Sequence, residues 1–298
     1  MSDASTLLYS SAHAIVGRFD CADGHPAWRR VNTSGPWPLF AFPGTPVEIE
    51  HEGGAAVVAN ASCVMLYNAE QRYRRRVLDR RGDHCVFVTA APALVRELVA
   101  HVDPAVADRE TDLFVTDHAP ADARIAAVPF LLARHLQSAA TVDALLVEER
   151  LIGLLAAVVR GVPRTRRPSP AAHHVELARA IERELSRRFA ESRSLADIAQ
   201  AAECSAFHAA RVFRAATGLS IHAYRHRLRL HAVLHRLDDA RDLTELALDT
   251  GFCSHSHLTE SFRRAFGTAP SRLRGRMSST RLRALDRTLW PGLPRARS

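Results

Sequence analysis

Two copies of one pattern stand in the chain, LADIAQAAECSAFHAARVFRAATG over residues 195–218 and LTELALDTGFCSHSHLTESFRRAFG over residues 243–267. With one extra residue in the turn of the second copy, they pair Leu195 with Leu243, Ile198 with Leu246, Ala199 with Ala247, His208 with His257, Phe213 with Phe262 and Gly218 with Gly267. A pattern repeated in this way predicts one small helical unit that occurs twice in a single domain.

Each copy is typical of a helix-turn-helix. The first helix carries apolar residues at i, i+3 and i+4, which form one face. Ser205 and Ser254 stand where the second helix of each copy needs an N-cap. Gly218 and Gly267 stand just past its end, where a left-handed residue closes a helix. The second helix of such a unit enters the major groove of DNA, with its N-terminal side chains at the base edges.

The segment 220–237 between the copies predicts one connecting helix with Ser220 as its N-cap. Its expected inward positions are Ile221, Tyr224, Leu228, Val233, Leu234 and Leu237. A helix of this length spans about 27 Å, and two groove entries on one face of DNA lie about 34 Å apart. The connecting helix is therefore long enough to hold two recognition helices about one helical repeat apart.

These residues resemble the DNA-binding domain of the AraC/XylS family of transcription regulators over roughly residues 175–274. The resemblance rests most on SAFH at 205–208, RVFR at 211–214, YRHRLRL at 224–230 and SHLTESFRRAFG at 256–267, with Pro270 behind them. It implies a sequence-specific regulator, more often an activator than a repressor, that binds double-stranded DNA through both units. RNA polymerase is accordingly an expected partner.

Two positions depart from the family pattern. Ala209 stands where leucine is usual, which predicts looser packing in the first unit. Glu260 stands where an arginine or lysine is usual. Its carboxylate either accepts a hydrogen bond from cytosine N4 or is turned aside on the surface, and both readings stay open.

The exposed N-terminal turns of the two second helices, with the connecting helix, supply the candidate DNA-binding residues. Arg211 is the strongest candidate for a bidentate contact to guanine. Phe207 either touches thymine methyl groups or belongs to the core. The full set is Ala206, Phe207, His208, Ala210, Arg211, Arg214, Arg225, Arg229, His255, Ser256, His257, Thr259, Glu260 and Arg263.

The charge of the chain is unevenly distributed. From residue 171 onward there are 22 Arg against 13 acidic residues, whereas residues 1–170 hold 18 Arg and 19 acidic residues. The excess of arginines that gives the chain its net charge of +8 therefore lies in the part with the repeated unit. Such an uneven distribution is typical of nucleic-acid-binding domains. The chain has Arg but no Lys, so a compositional bias is also present, although it does not explain the asymmetry.

The first half predicts a β-rich domain. Short apolar or alternating stretches at 39–42, 47–51, 55–59, 63–67, 73–77 and 85–89 are separated by turn-forming residues, which is typical of a sandwich or barrel. The family resemblance implies a cupin-like β-barrel that senses a small-molecule effector. The predicted fold is thus α+β with two domains: a cupin-like barrel with appended helices, then an all-α domain of two tandem helix-turn-helix units joined by a long helix.

Two clusters in this half are candidate ligand sites. Glu48, Glu50 and Glu52 share one strand face while His51 points to the other, so a solvated face is favoured over a metal site, and no cofactor is expected. The run Arg72, Arg74, Arg75 and Arg76 either lines a pocket for an anion or protects an exposed strand edge, and the edge is favoured.

Helical patterns follow at 93–101, 122–138 and 142–159. The last has more apolar surface than one face needs, which indicates burial on two sides, either within the chain or against a second subunit in a homodimer. The predicted boundaries are a sensor or dimerisation domain over 1–160, a Pro- and Arg-rich linker over 161–170, the DNA-binding domain over 171–276 and a basic tail over 277–298.

Composition excludes several other classes. No apolar run reaches the roughly 18 residues of a membrane span, and residues 1–10 lack the basic region of a secretory signal, so a cytoplasmic protein without membrane association is expected. The five scattered cysteines predict free thiols. A cupin-type enzyme is the less favoured alternative, and a regulator whose first half only dimerises or binds a protein is another.

Overall fold

The computed structural model describes residues 4–110, 112–139, 141–162 and 172–285. Strands in its first half form two sheets with antiparallel pairings. The larger sheet has the spatial order β1 (Ser5–Ser10), β2 (Ala14–Cys21), β9 (Asp83–Ala90), β4 (Leu39–Pro43), β7 (Cys63–Tyr67) and β10 (His118–Pro120). The smaller has the order β3 (Asn32–Thr33), β8 (Arg72–Val77), β5 (Val47–His51) and β6 (Val57–Ala59).

A cavity lies between the two sheets. Strands of both sheets contribute lining residues, among them Phe19 and Phe87 from the larger sheet and Ile49 and Arg75 from the smaller. These side chains alternate along their strands with outward ones, because successive residues of a strand point to opposite faces. The described strands form two open sheets, so the β-rich first half is confirmed, whereas the closed cupin-like barrel stays a prediction.

Three helices cover the larger sheet: α1 (Pro92–Ala100), α2 (Ala123–Ser138) and α3 (Ala144–Gly161). Asp122 and Asp143 cap α2 and α3 by accepting hydrogen bonds from backbone N–H groups of the first turn. The predicted helices therefore form within one or two residues of their expected bounds. Most of the apolar surface of α3 is buried inside the chain, while Leu145 and Ile152 remain exposed.

The second half is helical. It comprises α4 (Ala172–Arg188), α5 (Leu195–Ala201), α6 (Ala206–Thr217), α7 (Ile221–Arg236), α8 (Leu243–Asp249), α9 (His255–Phe266), α10 (Pro270–Leu273) and α11 (Ser279–Ala284). Helices α5 and α6 form the first predicted unit, α8 and α9 form the second, and α7 connects them. This agrees with the expected order of elements in the DNA-binding region.

The two halves of the chain are docked on one another through polar contacts. The Asn60 side-chain amide donates to Tyr224 Oη of α7 at 2.6 Å and to Ser186 Oγ of α4 at 3.1 Å. Glu48 forms an ion pair with Arg183 of α4 at 2.8 Å. Glu48 is therefore covered by the second half, and the expectation of a solvated strand face is wrong for this residue.

Apolar packing joins the halves as well. Leu246, Leu258 and Phe262 of the second unit belong to the same buried cluster as Leu131 of α2. Ala126 of α2 also reaches the core of the first unit. The second unit therefore packs against α2 directly, whereas the first half meets the core of the first unit beside α4 and α7.

The beginning of the basic tail is part of this docked structure. The carbonyl oxygen of Met277 lies 2.8 Å from Nδ1 of the buried His135 in α2. Met277 and Leu282 are buried, and Arg283 pairs with Asp143. Residues 163–170 of the predicted linker, with Arg164, Arg166 and Arg167, and tail residues 286–298 lie outside the described residues.

Candidate nucleic-acid interface

The caps of α6 and α9 form as the sequence predicts. Ser205 Oγ accepts a hydrogen bond from the His208 N–H, and Ser254 Oγ accepts one from the His257 N–H. Each helix ends at a glycine in the left-handed region, Gly218 at φ 75° and the corresponding glycine of the second unit at φ 70°. These caps fix where each helix starts and therefore which side chains its first turn presents.

Helix α6 presents a mixed apolar and basic face. Phe207 is 79% exposed, so of its two sequence-based alternatives the core position is excluded. Arg211 and Arg214 are exposed one and two turns further on. Ala206, His208 and Ala210 are partly buried. Meanwhile Ala209 is fully buried with Val212 and Phe213, so the small residue sits in the packed interior of the unit.

Helix α9 presents a polar face. His255, Ser256, His257, Glu260 and Arg263 are exposed, and Thr259 is partly buried. Glu260 forms an ion pair with Arg264 at 2.6 Å, one turn along the same exposed surface. Such an exposed i,i+4 pair contributes only a few tenths of a kcal/mol, about 0.3–0.5. The carboxylate thus has an intramolecular partner in the free protein.

Arg225 and Arg229 of the connecting helix have partners inside the domain. Arg225 donates to the Arg193 carbonyl oxygen at 2.8 Å. Arg229 donates to the carbonyl oxygens of Phe189 at 2.7 Å and Glu191 at 3.1 Å, just past the C-terminal end of α4. A cation suits this end of a helix because its last carbonyl groups have no helical partner. The structure places both side chains in the packing of the domain, a role that a run of arginines in sequence does not reveal.

Several histidines stand close to the two candidate helices. The rings of His174 in α4 and His208 in α6 lie 5.5 Å apart. Desolvation, followed by the neighbouring His173, His208 and Arg211, lowers the pKa of His174. Its imidazole is therefore biased toward the neutral form. Arg211 then remains as the permanent cation beside the first turns of α6.

In the second unit, His257 Nδ1 lies 3.1 Å from Sγ of Cys253. Its ring also meets Phe252 at 5.3 Å between centroids. These contacts hold His257 against the turn that precedes α9. Among the described residues, no group of three or more His, Cys, Asp or Glu side chains is arranged to hold a metal ion.

The cavity in the first half has a volume of about 610 Å³, within the range of small-molecule sites. Of the arginine run on β8, Arg75 alone points into it. Its guanidinium pairs with Asp83 at 2.8 Å and lies 4.2 Å from the centre of the Phe19 ring. By contrast, Arg72 and Arg76 are exposed and pair with Glu52, just past the end of β5, and with Glu50 of β5.

His51 lies on the opposite face of β5 from its glutamate neighbours, as expected. It is buried beside Tyr67, with ring centroids 4.5 Å apart, and its Nδ1 lies 3.3 Å from Oδ1 of Asp117. A role in packing accounts for these contacts.

In the part of the chain that the structure describes, no helix is both long and apolar enough to cross a bilayer.

Most candidate DNA-binding residues of α6 and α9 are exposed while the two halves are docked, whereas Ala206, His208, Ala210 and Thr259 are partly buried. The first half packs instead against α4 and α7 and against the buried side of the second unit. The docked chain therefore leaves open the face that a groove would contact.

A comparison with protein families agrees with the predicted helix-turn-helix units. A protein-family model described as a helix-turn-helix domain matches residues 198–276. No curated protein matches the chain.

Solved structures of ToxT from Vibrio cholerae are similar to the chain at low identity. The wild-type protein with bound unsaturated fatty acid has 12% identity and a TM-score of 0.33, and the match covers 88% of this chain and 95% of that one. A 1.65 Å structure has 12% identity and a TM-score of 0.34, covering 87% and 96%. The protein from strain O395 has 13% identity and a TM-score of 0.33, covering 91% and 96%. Residues 198–276 are therefore a helix-turn-helix region that matches a family model of the AraC type.

Proposed function

We propose that this protein is a sequence-specific DNA-binding transcription regulator, more specifically an activator, controlled by a small molecule bound between the sheets of its first half. The observation that carries the proposal is the pair of capped, outward-facing helices α6 and α9 in one domain, joined by α7. Each presents its N-terminal turn to solvent, as a recognition helix does.

Base readout is assigned to the exposed residues of these turns. Arg211 donates to guanine O6 and N7, and Phe207 meets thymine methyl groups. Ser256 and Thr259 contact bases or phosphates, while Arg214 and Arg263 contact phosphates. Because Glu260 is paired with Arg264, the first unit contributes more base-specific affinity than the second.

Effector control rests on the cavity and on the docking of the halves. A ligand between the sheets would act on β5 and β6. Glu48 of β5 contacts α4, and Asn60, just after β6, contacts both α4 and α7. Because the DNA-facing turns are already open, the ligand acts by changing the relative position of the two units rather than by uncovering them. The cupin-like description of the sheets is part of this proposal.

A second function of the first half is dimerisation. An exposed apolar stripe consists of Val142, just before α3, and of Leu145 and Ile152 on α3 itself, and Leu145 is 69% exposed. A homodimer would cover this stripe and bring four helix-turn-helix units to one operator.

As an activator, the protein would also contact RNA polymerase. Its access to chromosomal DNA implies a cytoplasmic location.

The test is to map the DNA bound by the protein in its own cells and to measure the neighbouring transcripts with and without the gene. The proposal predicts fewer transcripts from bound promoters when the gene is deleted. Bound promoters with unchanged transcripts would contradict a regulatory role, and increased transcripts would indicate a repressor.

A further inference from the structure

We propose that the cavity between the sheets selects an uncharged ligand, with an apolar and preferably aromatic body and one hydroxyl or carbonyl group that hydrogen-bonds to tyrosine. The inference rests on the proposed function, because it names the ligand class of the effector site. It follows from the cavity wall and from the way its buried charges are already neutralised.

The wall of the cavity is predominantly apolar. Ile15, Phe19, Leu39, Ile49, Met65 and Phe87 line it from both sheets. A volume of about 610 Å³ accommodates a molecule of one to three rings. Burial of such a body contributes roughly 25 cal/mol per Å² of apolar surface removed from water.

The buried charges in the wall form one ion pair. Among the described residues that line the cavity, the charged side chains are Arg30, Arg75 and Asp83. Arg75 and Asp83 are each 4% exposed and lie 2.8 Å apart. Arg75 is also held between the rings of Phe19 and Tyr73, at 4.2 and 5.2 Å from their centres.

A charged ligand gains little from this pair. A carboxylate placed beside Arg75 would also stand near the Asp83 carboxylate, so attraction and repulsion offset each other. An ammonium group near Asp83 would meet Arg75 in the same way. Either ion would lose its hydration on entering the cavity without a free counter-charge in the interior.

Hydrogen-bonding groups remain available beside the pair. Tyr67 and Tyr73 line the cavity, with their rings 5.0 Å apart. Tyr73 Oη accepts a hydrogen bond from Arg75 at 2.5 Å, which leaves its own hydrogen to donate. Burial raises the pKa of both tyrosines, so their hydroxyl groups stay protonated and recognise a neutral oxygen.

Among the described lining residues, Arg30 is the one cation outside this pair, and it is exposed. If the ligand were an anion, Arg30 would be the side chain to hold it. Substitution of Arg30 therefore separates the two ligand classes, because an uncharged ligand does not depend on it.

The experiment is titration calorimetry of the full chain near neutral pH with two probes that share a naphthalene body, uncharged 2-naphthol and anionic 2-naphthoate. We expect naphthol to bind at least about tenfold more tightly, and Arg30→Gln to change its affinity less than about twofold. Tighter binding of naphthoate, loss of binding in Arg30→Gln, or binding of neither probe would overturn the proposal.

Asp83→Asn supplies a second test in the same assay. It keeps the shape of the side chain but leaves Arg75 without its counter-ion, so we expect the preference to shift at least about tenfold toward naphthoate. The variant is checked for folding by its DNA affinity and thermal unfolding, and the wild-type comparison stands if it does not fold. An unchanged preference in a folded variant would overturn the electrostatic argument.

The proposed regulator function and the proposed ligand class can be contradicted separately. Selective naphthol binding without DNA binding by the chain would contradict the proposed regulator and leave the ligand class standing. DNA binding with a preference for naphthoate would do the reverse.

Discussion

At the scale of single residues, Arg211 carries the sharpest assignment. It is exposed in the first half of α6, and the caps of that helix fix its direction. We predict that Arg211→Ala weakens binding to a preferred DNA site by about 1–3 kcal/mol and relaxes the choice of one base pair. Competition binding against sites with each base at that position measures both effects.

Arg72→Ala is the matched control, since it removes the same charge from an exposed ion pair on β8, remote from the helix-turn-helix units. It should leave base discrimination unchanged. If Arg211→Ala preserves discrimination while Thr259→Ala abolishes it, the ranking of the two units is wrong.

Arg229 has the opposite expected role. Its guanidinium donates to two carbonyl oxygens past the end of α4. We predict that Arg229→Met lowers the free energy of unfolding by about 1–3 kcal/mol, because those acceptors lose a charged donor. Chemical denaturation measures this. A phosphate contact would instead reduce the slope of binding affinity against salt by about one, and that result in a stable variant would contradict the structural assignment.

At the scale of elements, Gly251 shows how tightly the turn of the second unit is built. Its φ is +87°, and an added Cβ would lie 2.5 Å from the Ala190 carbonyl oxygen and 2.8 Å from Arg229 Cζ. We predict that Gly251→Ala destabilises the protein by more than about 2 kcal/mol, because left-handed strain and a backbone clash add together. Thermal unfolding followed by circular dichroism measures the loss.

Gly218→Ala separates the two contributions. Gly218 has φ +75°, but nothing lies within 4 Å of an added Cβ. Its substitution should cost only the left-handed penalty of about 1–2 kcal/mol. Equal losses in the two variants would contradict the close approach at Gly251.

The elements most predictable from the sequence are those decided by local chemistry. Serine caps, left-handed glycines and apolar spacing gave α6, α7 and α9 within a residue of their observed ends. Strands of the first half are less predictable, because β1 is an edge strand that alternates weakly and β10 has three residues. Pairing between distant strands depends on tertiary packing that no local pattern records.

The burial of charged residues could not be predicted for a related reason. The run of arginines on β8 favoured an exposed edge, yet Arg75 is buried because Asp83 of β9 supplies a counter-ion eight residues away in sequence. Glu48 is buried because Arg183 of α4 covers it from 135 residues away. Such partners come together only through the fold.

At the scale of the whole molecule, the docking of the two halves predicts a pH dependence. His231 of α7 is buried near Phe130 of α2, with ring centroids 5.3 Å apart. Burial, followed by the charge of Arg81, lowers its pKa to about 3. Its imidazole is therefore neutral in the folded chain but takes up a proton in the unfolded chain below about pH 6.5.

The contribution of His231 to the free energy of unfolding is fully present above its pKa in the unfolded chain. It is lost as pH falls from about 6.5 toward 3, by about 1.4 kcal/mol per pH unit. Replacing it with an uncharged residue, His231→Gln, should flatten this decline in urea unfolding measured between pH 6.5 and 4.5. The exposed His222→Gln is the control and should keep the wild-type slope. Equal slopes in all three proteins would contradict the burial of His231.

Glu182 acts in the opposite direction, so the comparison with the variant is needed to isolate His231. Burial raises the pKa of Glu182 to about 7, although its hydrogen bond with Tyr224 opposes the shift. Its contribution to stability is present below the unfolded pKa and is lost as pH rises through 7.

The proposed function requires that both helix-turn-helix units of one chain read DNA. The most direct measurement is selection of binding sites from a random DNA pool by the full chain at two salt concentrations. We predict recovery of two short motifs about one helical turn apart, with affinity that falls steeply with salt. Recovery of a single short motif would contradict reading by the second unit, and recovery of none would contradict sequence-specific binding by the domain.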